Sequence, residues 1–80
     1  MASREDLLEW VVAALKANGG TASVFDVCKY IWTHYEGQLR SSEKLLYTWQ
    51  YEVRWAAHKL RKNRVMRPVH GDKSKPWQLA

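Results

Sequence analysis

A single cysteine, Cys28, occurs in the 80 residues. One thiol closes no intramolecular disulfide, and no four thiolate or imidazole ligands stand at zinc-like spacing, so the fold is expected to hold without either staple. Long apolar runs are missing too. Nothing approaches the roughly 18 residues of a membrane span, and Glu5, Asp6 and Glu9 stand where a secretory leader is cationic. The expectation is a cytoplasmic chain with no membrane partner. Chemistry-bearing motifs are equally scarce. There is no glycine-rich phosphate loop and no nucleophile elbow. His34, His58 and His70 lie far apart, without a matching carboxylate and thiol set. The acidic residues mostly open helical patterns, where they complement the helix dipole rather than pair for metal-assisted hydrolysis. The sequence therefore predicts no enzyme, no cofactor, no metal and no small-molecule substrate.

Aromatic residues, by contrast, are plentiful: five Trp, four Tyr and one Phe. A chain this short buries only about 60% of the surface its unfolded form exposes, and large rings give it much apolar area per residue. One domain over residues 1–80 is expected.

Charge is divided unevenly. Residues 1–36 carry three Lys or Arg against five Asp or Glu, a balance of −2, whereas residues 37–80 carry ten against three, a balance of +7. Clustered cations attract phosphate and release its counterions, so the second half points to a polyanionic partner.

The chain reads as helix, very short strand, helix, helix and hairpin. Ser3 with Asp6 resembles a capping box, Leu8, Val11, Val12 and Leu15 repeat at helical spacing, and Asn18-Gly19-Gly20 ends the pattern, giving a helix over about 4–17. Thr21 and Ala22 leave room for a two-residue strand before Ser23, which again precedes an aspartate by three. Val24, Val27, Cys28 and Ile31 then form one apolar stripe, and Gly37 marks the end of a second helix over about 24–35. Cys28 falls on its inner face and is expected to be a small core residue.

A third helical pattern runs from Ser41 and Ser42 to about Lys62 without glycine or proline. A separate helical turn within 36–46 would bring it to a more usual length. Trp49, Val53, Ala56, Ala57 and Leu60 gather on one side; Lys44, Tyr47, Tyr51, His58 and Lys62 gather opposite, with Thr48 and Arg54 at the edges. After Asn63 the period shortens, and Val65, Met66, Val69, Trp77 and Leu79 flank a polar run holding Lys73 and Lys75. This fits a β-hairpin whose prolines, Pro68 and Pro76, sit at an edge, a bulge or a strand end.

That order is the α+β winged helix-turn-helix arrangement, a three-helix core with a C-terminal hairpin wing. In it the third helix enters a major groove and the wing touches adjacent backbone or minor groove. Two stretches also resemble the N-terminal winged-helix domain of Mrr-type restriction endonucleases. They are Tyr51-Glu52-Val53-Arg54-Trp55-Ala56-Ala57-His58-Lys59-Leu60-Arg61-Lys62, similar to that family's final helix, and Gly19, Gly20 and Ala22 between the first two helices. The closing Trp77-Gln78-Leu79 fits the same pattern. The resemblance implies a DNA-binding module that accompanies a nuclease domain, which these residues do not include.

The sequence thus predicts duplex DNA as the partner. Arg40, Ser42, Lys44, Lys73 and Lys75 are the expected phosphate contacts, and Thr48, Tyr51, Tyr47 and Arg54 the expected base contacts. Structural readings stand beside these: Arg54 pairing within the fold, the tyrosines packing on the second helix, and Trp55 buried against a neighbouring element. A homodimer or a larger protein context stays open. The competing function is a winged-helix protein-protein interaction domain that docks through its aromatic-rich surface.

Overall fold

A computed structural model describes residues 3–68 and 76–80. Three helices, α1 (Asp6–Ala17), α2 (Val24–Arg40) and α3 (Glu43–Lys62), enclose the core, and two short strands, β1 (Thr21–Ala22) and β2 (Trp77–Gln78), form an antiparallel pair. The fold is a small α+β arrangement.

Helix α1 starts from a turn. The Asp6 amide donates to the Ser3 carbonyl at 3.0 Å and the Ser3 amide to the Asp6 carboxylate at 2.9 Å. The carboxylate half of the expected capping box forms, and no side chain accepts from the first helix amides at the N-cap, Glu5. At the other end the chain reverses through Gly19 and Gly20 at φ 77° and 94°, and the Gly20 amide donates back to the Leu15 carbonyl at 2.7 Å. Left-handed geometry of this kind is the reason glycine ends helices.

The Ser23 hydroxyl accepts from the Asp26 amide at 3.1 Å and opens α2 as expected. Its regular part ends at Tyr35, where the sequence reading puts it, but the helix resumes beyond. Gly37 does not stop the helix; the chain kinks at Tyr35 (φ −124°, ψ 16°) and continues helically to Arg40. The Tyr35 ring lies on the Trp10 indole of α1, centroids 4.4 Å apart and planes 7° apart, so the kink coincides with the seating of this side chain. Glycine at 37 costs helix stability but is compatible with right-handed geometry. Ser41 and Ser42 then make the turn into α3, which runs unbroken for 20 residues. The separate helical turn lies inside the end of α2, and α3 keeps its full length.

After α3, Asn63 is the C-cap and Arg64 takes the left-handed conformation at φ 63°. The Val65 amide returns to the Leu60 carbonyl at 2.9 Å. Met66 bridges Leu79 in antiparallel fashion, Arg67 donates to the Gln78 carbonyl at 2.9 Å, and β2 pairs on its other side with β1 in the register Thr21↔Gln78 and Ala22↔Trp77. The strand ends of the expected hairpin are therefore in place. Its tip, residues 69–75, lies outside the described residues.

Leu7, Val11, Ala14 and Leu15 of α1 and Val27 and Ile31 of α2 are fully buried against the inner stripe of α3, where Trp49, Val53, Ala56, Ala57 and Leu60 are buried as their spacing predicts. Met66 and Trp77 close the core from the sheet side. Packing on α1 and α2 fixes α3, and Tyr47, Tyr51, Arg54 and His58 on its outer face are exposed.

Candidate nucleic-acid interface

Because one side of α3 is fully committed to the core, the other is presented as a rigid ridge. Tyr47 and Tyr51, one helical turn apart, are 83% and 76% exposed, and Lys44, Arg54, His58 and Lys62 are exposed around them. Thr48 is half-buried at the edge, with its hydroxyl donating to the Lys44 carbonyl at 3.3 Å. Five of the expected contact residues, Lys44, Tyr47, Thr48, Tyr51 and Arg54, thus share one helix and one side of it.

Between Lys44 and Lys62 the helix has one carboxylate, Glu52. It is turned to the flank, where Arg4 of the N-terminal turn approaches to 3.9 Å. The Arg4 guanidinium also sits 4.4 Å from the Trp55 ring centroid, and Lys59 lies on the same ring at 5.4 Å. Trp55 is half-buried in this latch, in line with the structural reading of it. Removing Glu52 from the ridge leaves the ridge itself cationic and aromatic.

The remaining expected contacts sit differently. Ser42 is buried and its hydroxyl donates to the Gln38 carbonyl at 2.7 Å, so the turn before α3 engages it internally. Arg40 is exposed but engaged: its Nε donates to the Glu36 carboxylate at 2.6 Å, one turn back, and its guanidinium lies 5.3 Å from the Trp32 centroid. Arg54 donates from Nη1 to the Gln50 carbonyl at 2.9 Å while staying exposed. Lys73 and Lys75 lie outside the described residues.

Two depressions flank the α3 ridge. The larger, about 760 Å³, lies between the N-terminal turn and the start of α3, and carries Arg4 and Lys44 together with the carboxylates of Glu5, Glu43 and Glu52. Hydrogen bonds from its own backbone amide and from Ser3 hold the Glu5 carboxyl below its ordinary range. On the α2 side a groove of about 430 Å³ is lined by Phe25, Cys28, Lys29, Trp32, Leu46, Trp49 and Gln50, with no carboxylate. Burial pushes the Cys28 thiol up, opposed by the nearby Arg54 cation, and keeps this wall neutral.

Sequence reasoning passed over Phe25 and Lys29, both exposed on α2. The signal was available, because Phe25 falls off the stripe formed by Val24, Val27, Cys28 and Ile31. Arg64 and Arg67, exposed beyond α3, were counted in the charge balance but not chosen. Arg61 is half-buried, 5.5 Å from the Trp77 centroid, and burial lowers its pKa from the ordinary arginine value. Among the described residues no three His, Cys, Asp or Glu side chains converge as a metal set, and no helix is long and apolar enough to cross a membrane. Compared with known proteins, the chain matches no family model, no curated protein and no solved structure.

Proposed function

We propose that this chain is a winged-helix module that binds duplex DNA, presenting the outer ridge of α3 to the major groove. The observation that carries the reading is the division of α3 itself. Trp49, Val53, Ala56, Ala57 and Leu60 are sunk in the core, while Lys44, Tyr47, Tyr51, Arg54, His58 and Lys62 project outward, with Glu52 turned to the flank. A major groove about 12 Å wide admits one such helix. Lys44 and Lys62, near the two ends of the ridge, suit phosphates, and Tyr47, Thr48, Tyr51 and Arg54 between them suit base edges. The isolated bridge between Met66 and Leu79 beside β2 is compatible with a wing, through which Lys73 and Lys75 would add a second contact. The likeness to Mrr-type winged-helix domains agrees with a targeting module of a restriction-type or regulatory protein.

Three of the five tryptophans, Trp10, Trp49 and Trp77, are buried and the other two are half-buried. They serve the fold, which weakens the competing reading of a tryptophan-rich docking surface for another protein. Fluorescence anisotropy with a labelled duplex at several salt concentrations tests the proposal. With four to six phosphates neutralised, log affinity falls against log salt with a slope of about −4 to −5. Absence of binding even at low salt would overturn the reading in favour of protein docking.

A further inference from the structure

The groove between α2 and α3 is open, aromatic and free of carboxylates. Trp32 and the buried Trp49 form its floor, stacked on one another with planes 11° apart and centroids 6.1 Å apart and with Arg40 over Trp32, and the exposed ring is that of Phe25, 72% exposed at the rim. An exposed phenyl ring contributes nothing to the core, and its position suits a planar partner arriving from outside. The Gln50 amide supplies both a donor and an acceptor at the α3 edge. Lys29 adds a cation at the α2 edge, and Arg54 lies close enough to act on Cys28. At about 430 Å³ the groove falls within the usual range of ligand sites, about 300–1,000 Å³.

One exposed aromatic ring, one amide and adjoining cations are the chemistry that recognises an unstacked nucleobase with its phosphates. Every base offers a π face, the amide can meet a base edge, and the cations meet the backbone on either side. The groove also adjoins the α3 ridge through Gln50 and Arg54, so a strand lying along that ridge reaches it. We propose that this groove takes an unpaired base, and that the chain consequently prefers DNA carrying an extrahelical base over a perfect duplex. The inference rests on the DNA-binding reading above. A base already outside the stack enters without the unstacking cost that a paired base incurs.

The test is anisotropy at fixed salt with three labelled DNAs: a matched duplex, the same duplex with one bulged adenine, and the same duplex with a bulged abasic residue. The abasic form keeps the kink and extra phosphate of the bulge without its base. The adenine bulge should bind at least about fivefold tighter than both others, the lower end of what one base stacked on an aromatic side chain contributes. Phe25→Ala, at an exposed position, should bring the adenine bulge level with the abasic bulge and leave the matched duplex unchanged. Lys29→Ala should weaken all three. Equal binding of adenine and abasic bulges, or a preference that survives Phe25→Ala, overturns this inference alone, provided the matched duplex binds. Failure of all three DNAs to bind at low salt overturns it together with the reading beneath it.

Discussion

Gly19 shows how much a single position can decide. At φ 77° it occupies a conformation that costs an L-residue about 1–2 kcal/mol, although a Cβ there would meet nothing within 4 Å. Gly19→Ala should therefore destabilise through the backbone alone, lowering the melting temperature by roughly 4–8 °C for each kcal/mol lost in a domain of this size. An unchanged melting temperature would mean that the turn has another geometry. Cys28 gives a second check. Burial raises its pKa, so at pH 8 it holds less thiolate than a free cysteine and should react with iodoacetamide more slowly in the native protein than in denaturant. Equal rates would show an open thiol. The Gly19-Gly20 stop and the Ser23 cap were legible because each acts through its own backbone. Ser42 was not: its burial depends on how α2 and α3 meet, and a serine before a helix looks the same in sequence whether it faces solvent or the Gln38 carbonyl.

Among the helices, α3 was the most legible and α2 the least. Twenty residues of helical periodicity in α3 separate the buried from the exposed side chains with little ambiguity, and the structure keeps that division. Val53→Asp places an unpaired charge in a fully buried site and should unfold the domain, which circular dichroism would register as loss of the cooperative melt. A retained melt would contradict the packing described for α3. The outer ridge predicts a contrast instead of a collapse. Lys44→Ala should weaken binding to all duplexes alike and reduce the salt slope by about 1, whereas Tyr51→Ala should change the preference between a selected and a scrambled duplex. The reverse pattern would exchange their roles. The break at Tyr35 falls where the sequence reading ends the second helix, and the chain resumes helically through Gly37 to Arg40. Gly37 sits in helical geometry with open space around its α-carbon, and the irregularity, at Tyr35, coincides with that ring's stacking on Trp10 of another helix. No local pattern announces a contact between residues so far apart in the chain.

Across the whole molecule, the uneven charge of the sequence becomes a spatial division. Among the described residues, Glu5, Glu43 and Glu52 gather at one flank of α3 beside Lys44, Tyr47 and Thr48, where Arg4 fastens the N-terminal turn, while the lining of the α2 groove has no carboxylate. The sum of charges was legible from composition; this sorting was not, because it depends on which way α3 turns Glu52. The most direct test is the chemical-shift map of the labelled protein titrated with a duplex at low salt. The account predicts that the largest amide shifts fall on Lys44, Tyr47, Thr48, Tyr51, Arg54 and His58 of α3. Exposed residues of α1 such as Glu9 and Lys16 should stay near their free positions. Shifts centred on α1, or none on the α3 ridge despite binding, would contradict it.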